Sequence, residues 1–322
     1  MSVEEKMKNG EFAGYKIFTG NAYPQLAEEI ANIMGKPLGK ASVKKFSDGE
    51  ISVDLWETVR GQDCFIVQPT CYPVNQNLME ILIMIDAMKR ASAGRINAVI
   101  PYYGYARQDR KAKARDPITS KLVADLLVAA GADRVVTMDL HAAQIQGYFN
   151  IPVDHLLGLP ILMKYWKEQN IEDLVVVSPD HGSVTRARSM AEPLNAPIAI
   201  IDKRRPEANK SEIMNIIGNV ENKNCILVDD MIDTAGTICN AGKALMELGA
   251  KSVSAGATHA VLSGPAFERL ADAPFKEIIF LNTIPIAPER RLPNMKVLSV
   301  APLFAEAMMR IHTNDSISRL FD

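Results

Sequence analysis

Short apolar runs and longer amphipathic segments alternate along the chain. The runs at residues 96–101, 174–177 and 226–228 are rich in Ile and Val, which is typical of strands buried in a parallel sheet. Residues 77–93 instead carry apolar side chains at three- and four-residue spacing, from Leu78 to Met88. This spacing predicts an amphipathic helix. The pattern therefore indicates strands and helices that alternate along the chain.

Glycine separates a helical segment from a new apolar run at three places. Gly94, Gly131 and Gly249 each end such a segment, and an apolar run begins within a few residues. Glycine often ends helices because it adopts the left-handed conformation without strain. The pattern recurs in both halves of the chain, so it predicts a doubly wound, mostly parallel sheet in each half. With 322 residues, of which 48% are hydrophobic, the chain can bury two cores, and we expect two domains.

Charge and composition exclude several classes of function. The formal net charge is -2, from 36 Lys and Arg against 38 Asp and Glu, which gives no general attraction to nucleic acid or to an anionic membrane. The longest apolar stretch, at residues 78–85, is far below the ~20 residues that span a bilayer, and the N-terminus lacks the apolar core of a signal peptide. The cysteines lie among apolar residues and lack C-x-x-C spacing: Cys64, Cys71, Cys225 and Cys239. We therefore expect a cytoplasmic protein with reduced thiols.

The most informative stretch is residues 225–237, whose sequence is CILVDDMIDTAGT. We expect the strand at 226–228 to end at the adjacent acids Asp229 and Asp230, and the turn DTAGT to lead into a helix at 238–248. Such a turn offers backbone N–H groups to an anion at a helix N-terminus, whereas the acids can accept hydrogen bonds from hydroxyl groups. The stretch therefore predicts a ligand with vicinal hydroxyls and a phosphate, such as a sugar phosphate. An acid-rich loop without a ligand is the alternative, and the acid pair combined with the turn favours the site.

Cations cluster after the strand predicted at 96–101. Five Arg and Lys residues lie in the nine positions from Arg107 to Arg115, although the chain as a whole is balanced in charge. A solvated basic face is one explanation of such a run. The other is a flap that closes on a polyphosphate and excludes water, because arginine side chains form paired hydrogen bonds with phosphate oxygens.

Acids and histidines follow two further predicted strands. Asp139 and His141 follow residues 135–137, and Asp180 and His181 follow the run at 174–177. Functional loops of such sheets lie at the carboxyl ends of the strands, although a single histidine there is often only a packing residue.

A third cluster is the sequence DKRRP at 202–206, which follows a strand predicted at 198–201. Three cations at a strand end indicate a nearby anion, because they otherwise repel one another. An exposed β-hairpin could also tolerate them.

Six motifs resemble those of the ribose-phosphate pyrophosphokinase family and occur in its order. They are FSDGE at 46–50, PYYGYARQDRK at 101–111, DLHA at 139–142, SPDHG at 178–182, DKRRP at 202–206 and VDDMIDTAGT at 228–237. The resemblance runs from about residue 15 to the end of the chain. It implies an α/β fold with two similar domains of the phosphoribosyltransferase (type I) fold. These would be residues 1–154, with 305–322 packing back on them, and residues 155–304.

The resemblance implies a reaction and a set of binding residues. The β,γ-diphosphoryl group of Mg-ATP would pass to the anomeric hydroxyl of ribose 5-phosphate, giving 5-phosphoribosyl 1-diphosphate and AMP. The implied catalytic cations are Lys203 and Arg205. The residues implied to bind ATP are Phe46, Asp48, Gly49, Glu50, Arg107, Gln108, Asp109, Arg110 and His141. Those implied to bind ribose 5-phosphate are Arg205, Asp229, Asp230, Asp233, Thr234, Ala235, Gly236 and Thr237.

The family also implies a metal, an assembly and regulation. His141 and Asp180 would bind Mg²⁺. The protein would form a dimer-based homo-oligomer, expected to be a hexamer, in which the FSDGE loop completes the adenine pocket of a neighbouring subunit. Inorganic phosphate would activate and ADP would inhibit through residues that include Arg60, Ser316 and Ser318. No nucleic acid or membrane partner is implied.

Two other classes of protein remain open. A phosphoribosyltransferase shares the ribose-phosphate turn, but it would normally be a single domain without DKRRP. A catalytically silent paralogue shares the fold, but we expect it to lack some of Lys203, Arg205, Arg107 and His141, which are all present here. His155 and His259 receive no role from the sequence.

Overall fold

The computed structural model describes residues 12–204 and 213–320, and the chain divides into two compact units. The first unit lies within Met1–Leu157 and Val300–Asp322, and the second is Gly158–Ser299. The strands are β1 (Tyr15–Thr19), β2 (Ala41–Lys45), β3 (Ile51–Leu55), β4 (Asp63–Val67), β5 (Arg95–Ile100), β6 (Arg134–Met138), β7 (Val153–Leu156), β8 (Leu174–Ser178), β9 (Ile198–Arg204), β10 (Ile213–Ile217), β11 (Asn224–Ile232), β12 (Ser252–Ala260), β13 (Phe275–Leu281) and β14 (Met295–Leu298). The α-helices are α1 (Pro24–Ile33), α2 (Val74–Arg90), α3 (Thr119–Ala130), α4 (Leu159–Glu168), α5 (Val184–Ala191), α6 (Gly236–Glu247), α7 (Ala266–Ala271) and α8 (Ala301–Thr313).

The first unit is built on a parallel sheet with the order β1-β4-β5-β6-β7. Helices α2 and α3 cover one face of it, and Ile66, Ile81 and Leu127 lie in the core that they share. Strands β2 and β3 form a separate antiparallel hairpin, which packs against α2. Gly131 ends α3 with a φ of 119°, so the predicted role of this glycine is confirmed.

A buried charge cluster ties α8 to the sheet of the first unit. The fully buried Asp63 accepts hydrogen bonds from Arg95 Nε at 2.8 Å and Asn97 Nδ2 at 2.7 Å, and it lies 3.0 Å from His312 Nδ1. Arg95 also donates to the carbonyl of Ile311 at 2.8 Å. Burial alone would raise the pKa of Asp63, but the hydrogen bonds from Arg95 and His312 outweigh it and lower that pKa.

The second unit is built on a sheet with the order β10-β9-β8-β11-β12-β13-β14. Its strands are parallel except β10, which runs antiparallel to β9. Val177, Leu227 and Leu245 lie in the core on the side of α6. The predicted α/β class with mostly parallel sheets flanked by helices is confirmed.

The predicted end of the strand at 226–228 is wrong, because β11 continues to Ile232. Asp229 and Asp230 therefore lie inside a strand rather than after it. The pairing of β11 with β8 stops at Leu227, whereas the pairing with β12 continues to the last residue of β11. The strand thus keeps hydrogen bonds on one side where it has lost them on the other.

Two further boundaries differ from the prediction. Strand β9 continues to Arg204 instead of ending at Ile201, because the antiparallel β10 pairs with it as far as Arg204. Lys203 is therefore part of the strand. Helix α6 begins at Gly236 and ends at Glu247, so Gly236 and Thr237 form its first turn and not a loop before it.

The remaining features concern the cysteines and the apolar length of the helices. All four cysteines are buried free thiols, and burial raises the pKa of Cys64 to about 12. Within residues 12–204 and 213–320, no helix is long and apolar enough to cross a bilayer.

Candidate functional site

The acid pair of β11 lies beyond the end of the neighbouring strand β8. Asp230 is buried and Asp229 is half-buried. Asp229 Oδ1 accepts a hydrogen bond from the Ser183 hydroxyl at 2.7 Å and another from the Asp230 N–H at 2.9 Å. The protein thus fixes one oxygen of the Asp229 carboxylate, just past the point where β8 stops pairing with β11.

Burial and the adjacent Asp230 both disfavour the charged form of Asp229. Burial, and then the negative charge of Asp230, raise the pKa of Asp229 to about 7, while the hydrogen bond from Ser183 acts in the opposite direction. A ligand that donates hydroxyl protons or brings positive charge would stabilise the ionised form. Asp229 is therefore suited to a polyhydroxyl ligand or a cation.

Asp180 is brought close to this pair by Ser183. The Ser183 N–H donates to Asp180 Oδ1 at 3.0 Å, and its hydroxyl donates to Asp229. The loop that carries Asp180 is also linked to β9, because His181 Nε2 lies 2.9 Å from Asp202 Oδ1. The structure therefore joins the predicted acid loops through Ser183, a residue for which no role was predicted. Its hydroxyl within the stretch SPDHGS was the only available signal.

The predicted phosphate turn is formed by the junction of β11 and α6. Ala235 caps the helix with φ 59° and ψ 3°, a left-handed conformation that is uncommon for a residue other than glycine. Gly236 and Thr237 then open the helix, and the N–H groups of a first turn have no acceptor within the helix. The junction can therefore bind an anion.

The predicted catalytic cations are described only in part. Lys203 lies in β9, where it pairs with Met214 of β10. Arg205 lies outside the described residues.

In the first unit, the loop after β5 carries the predicted flap. Its first part is fixed, because the Gly104 N–H donates to Thr70 Oγ1 at 2.7 Å and Tyr103 Oη donates to the Ser120 carbonyl at 3.0 Å. Any Cβ at position 104 would collide with the Thr70 carbonyl, so this approach requires glycine.

The base of the flap is held at Gln108 and Asp109. The Ser120 N–H donates to the Gln108 carbonyl at 3.2 Å, and Gln144 Nε2 donates to the buried Asp109 carboxylate at 2.9 Å. Asp109 was predicted to bind ATP, but here its carboxylate contacts the segment that follows DLHA. The other charged residues of the flap are exposed: Arg107, Arg110, Lys111, Lys113 and Arg115.

A cleft of about 610 Å³ opens beside the base of the flap. Its lining combines aromatic rings and amides with one cation and includes two predicted ATP-binding residues, Arg107 and Gln108. The lining residues are Tyr72, Pro73, Val74, Asn75, Gln76, Tyr102, Gly104, Tyr105, Arg107 and Gln108. Such a surface can receive an aromatic ring bearing polar substituents.

The loop after β6 exposes His141 and is shaped by His155. His155 Nε2 accepts a hydrogen bond from the Leu140 N–H at 2.9 Å. Asp139 is buried with a φ of 38°. His155 therefore supports the loop that presents His141, a role that the sequence did not indicate because it depends on the pairing of β6 with β7.

The FSDGE sequence forms the turn of the β2–β3 hairpin. The Phe46 N–H donates to the Glu50 carbonyl at 2.8 Å, and the Glu50 N–H donates to Asp48 Oδ1 at 3.1 Å. Gly49 has a φ of 97°, which favours glycine. The Phe46 side chain is 59% exposed, so an aromatic ring projects from the tip of the hairpin into solvent.

The predicted regulatory residues also lie in the first unit. Arg60 is exposed and forms an isolated bridge with Ala93. The Ser316 and Ser318 hydroxyls are 2.6 Å apart, and Arg310 Nη1 donates to the Ser316 carbonyl at 3.1 Å.

No three His, Cys, Asp or Glu side chains form a metal-binding group in the part of the chain that the structure describes. Magnesium does not require such a group, because it keeps several waters and is commonly held by one or two carboxylates together with substrate phosphates. Asp180 offers oxygen ligands of this kind.

Two family models and several known proteins are similar to this chain. Residues 15–131 match the N-terminal domain of ribose phosphate pyrophosphokinase, and residues 204–322 match the phosphoribosyl synthetase-associated domain. The chain is 70% identical over 309 residues to the ribose-phosphate pyrophosphokinase of Clostridium perfringens (strain 13 / Type A), covering 95% of this chain and 97% of the relative. It is 59% identical over 306 residues to that of Bacillus subtilis (strain 168), covering 95% and 96%.

A solved structure is similar over nearly the whole chain. It is the phosphoribosylpyrophosphate synthetase from Mycobacterium smegmatis, with a TM-score of 0.90 and 47% sequence identity. The match covers 94% of this chain and 99% of the other.

Proposed function

The chain belongs to the ribose-phosphate pyrophosphokinase family, and we propose that its second unit binds ribose 5-phosphate while its first unit binds ATP. The protein is a ribose-phosphate diphosphokinase, which transfers the β,γ-diphosphoryl group of ATP to ribose 5-phosphate and releases AMP. The two units would be duplicated domains of the phosphoribosyltransferase type, close to residues 1–154 and 155–304, with 305–322 returning to the first.

The observation that carries the sugar assignment is the junction of β11 and α6. An acid pair and a helix N-terminus are separated there by only a few residues, with Ala235 in a left-handed conformation between them. In our proposal Asp229 and Asp230 accept hydrogen bonds from the ribose hydroxyls, and the segment 233–237 binds the 5-phosphate.

The cleft beside the flap supports the assignment of ATP to the first unit. Arg107 and Gln108 line it, and Arg110 and His141 are exposed on the loops after β5 and β6. The exposed Phe46 of the hairpin would contact the adenine of a neighbouring subunit, together with Asp48, Gly49 and Glu50. This arrangement makes the functional unit at least a dimer, and a hexamer is the assembly that we propose.

Catalysis would depend mainly on position and charge. The anomeric hydroxyl of ribose 5-phosphate attacks the β-phosphorus of ATP in line, and AMP leaves. Lys203 and Arg205 offset the negative charge that grows during transfer, and the flap arginines exclude water from the reacting groups. Asp229 and Asp230 hold the ribose so that its hydroxyl is already aligned.

Mg²⁺ is the metal that we propose. Asp180 and His141 would contribute to its binding, directly or through water, and the ion would neutralise part of the phosphate charge. The oxygen ligands of Asp180 fit this ion better than the single nitrogen of His141 does.

Regulation and location complete the proposal. Inorganic phosphate would activate and ADP would inhibit through a site that includes Arg60, Ser316 and Ser318. The reduced, buried thiols and the balanced charge support a cytoplasmic location without a nucleic acid or membrane partner.

One assay tests the proposed reaction. Purified protein with Mg-ATP should release AMP only when ribose 5-phosphate is present, and 5-phosphoribosyl 1-diphosphate should form in equal amount. A silent paralogue would release no AMP. A phosphoribosyltransferase would consume 5-phosphoribosyl 1-diphosphate and a nucleobase instead, and either result would contradict the proposal.

A further inference from the structure

A second segment lies directly behind the phosphate turn. The Leu262 N–H donates to the Ile232 carbonyl at 3.0 Å, and the Ser263 N–H donates to the Asp233 carbonyl at 3.0 Å. The next carbonyl, that of Thr234, accepts a hydrogen bond from Arg269 Nη1 at 2.9 Å. Three consecutive carbonyls, from the last residue of β11 into the turn, are therefore held by the segment 262–269, which comprises the loop after β12 and the first residues of α7.

The contact from Arg269 determines how the following peptide group is oriented. A trans peptide is planar, so its C=O and N–H point in opposite directions. Because the Thr234 carbonyl points to Arg269, the Ala235 N–H points away from it. Ala235 is also the residue with the left-handed backbone, which is maintained only where neighbouring contacts impose it.

Glycine at position 236 leaves room for Arg269 at this position. A Cβ at Gly236 would lie 3.2 Å from Arg269 Nη1, closer than carbon and nitrogen normally approach. The helix that carries Arg269 is fixed to α6 by Cys239 Sγ, which donates to the Arg269 carbonyl at 3.4 Å. The arginine is therefore held against the first turn of α6 from both its backbone and its side chain.

We infer that Arg269 is a positioning residue for the 5-phosphate of ribose 5-phosphate. It holds the carbonyl of Thr234 on the outer side of the turn, so that the N–H groups of Ala235 and of the first turn of α6 face the phosphate. Its positive charge also lies behind those donors and favours an anion in front of them. The inference rests on the function proposed above, because it presupposes that the turn binds this phosphate.

Variants of Arg269 separate this role from general stability. Arg269→Met keeps the aliphatic stem but removes the donor and the charge. Its dissociation constant for ribose 5-phosphate should rise about tenfold to hundredfold, the range for a lost charged hydrogen bond. Its KM for ATP should stay within about twofold of the wild-type value, because the contact affects only the sugar-phosphate site. Arg269→Lys keeps a cation and one donor and should recover at least half of this loss on a logarithmic scale.

A nearby arginine provides the control. Arg290 is exposed and lies over the Phe267 ring, with its Cζ 4.1 Å from the ring centroid. Arg290→Met removes the same charge near α7 without touching the turn, so its affinity for ribose 5-phosphate should equal that of the wild type.

Calorimetric titration with ribose 5-phosphate decides between the outcomes, and thermal unfolding shows that each variant is folded. If the wild type fails to bind, the proposed sugar-phosphate site is wrong. If the wild type binds and Arg269→Met binds within twofold of it, the inference about Arg269 is wrong while the proposed function stands. Equal losses for Arg269→Met, Arg269→Lys and Arg290→Met would also overturn the inference, because the turn contact would then not matter.

Discussion

At the scale of single residues, Asp229 is the acid of the site whose pKa is raised towards neutral pH. Its pKa is raised to about 7 by burial and by Asp230, so the carboxyl group changes its charge near neutral pH. A protonated carboxyl accepts weaker hydrogen bonds from ribose hydroxyls than a carboxylate does. Binding of the sugar should therefore depend on pH in a range where most carboxyl groups are already ionised.

We predict that protonation of Asp229 by itself makes ribose 5-phosphate bind about tenfold more weakly at pH 6 than at pH 8. A group with a raised pKa is mostly protonated below that value, so affinity falls as the pH falls through about 7. Titration calorimetry across this range gives the profile. The phosphate of the ligand also titrates, near pH 6. Asp229→Asn is the control, because position 229 then cannot ionise and any remaining pH dependence comes from other groups. Identical profiles for the wild type and Asp229→Asn would exclude the role of this ionisation.

Lys203 is expected to act on the transition state rather than on binding. Lys203→Ala should lower turnover by roughly 10²–10³, the scale for the loss of one transition-state charge partner. The affinity for ribose 5-phosphate should be nearly unchanged. Lys251 precedes β12 at the opposite end of the strands, so Lys251→Ala is a control that should keep full turnover. A Lys203→Ala protein within threefold of the wild type would rule out the proposed role.

At the scale of the elements, the sequence predicted where the strands lie better than where they end. Hydrophobic runs located β8, β9 and β11, but β9 and β11 both continue past the apolar residues. They do so because β10 and β12 lie beside them and accept further backbone hydrogen bonds. Strand pairing depends on residues far away in sequence, so a local pattern cannot predict it.

The contact between α8 and the first sheet depends on one buried carboxylate. Asp63→Ala should destabilise the protein by about 3–5 kcal/mol, because Arg95 would remain largely buried without its partner. The melting temperature should fall on the order of 10 °C. Because the folded pKa of Asp63 lies below its ordinary value of 3.8, this stabilisation is present above that value and is lost as the pH falls through the lower folded pKa.

Differential scanning calorimetry at neutral pH measures this effect. Asp86 forms an exposed pair with Arg90 one helical turn away, and Asp86→Ala should change the melting temperature little. A similar, small change for both variants would mean that α8 does not depend on the Asp63 cluster.

At the scale of the whole molecule, the chemistry of each motif could be predicted from the sequence, but the contacts between distant residues could not. The acids of β11 and the turn after them are contiguous, so their chemistry was visible in the order of residues. Ser183 and Arg269 reach the same site from elsewhere in the chain, at 2.7 Å from Asp229 Oδ1 and 2.9 Å from the Thr234 carbonyl. Ser183 directly follows a recognised motif and Arg269 lies outside the motifs, and only the fold brings both residues to the site.

The proposed assembly predicts that two inactive variants restore activity when they form mixed oligomers. Phe46 and Glu50 lie on the hairpin of the first unit, and Lys203 lies in the second. If the hairpin completes the ATP site of a neighbour, Lys203→Ala and the double variant Phe46→Ala, Glu50→Ala should complement each other. In a mixed dimer one site receives both intact parts, so random pairing restores about a quarter of all sites.

Refolding the two inactive proteins together measures complementation, with each refolded alone as the control. Activity should return only in the mixture. If mixed oligomers form and the mixture stays inactive, each subunit binds its own adenine, and the proposed shared site is wrong.

The assignment of the two substrates to the two units is the central claim, and calorimetry of Asp229→Ala tests it most directly. Loss of this carboxylate should weaken ribose 5-phosphate binding by ~1.5–3 kcal/mol, the value for hydrogen bonds to a charged group. Binding of Mg-ATP, titrated in the same preparation, should be unchanged. If affinity for ribose 5-phosphate is unchanged and affinity for ATP falls instead, the substrates are assigned to the wrong units.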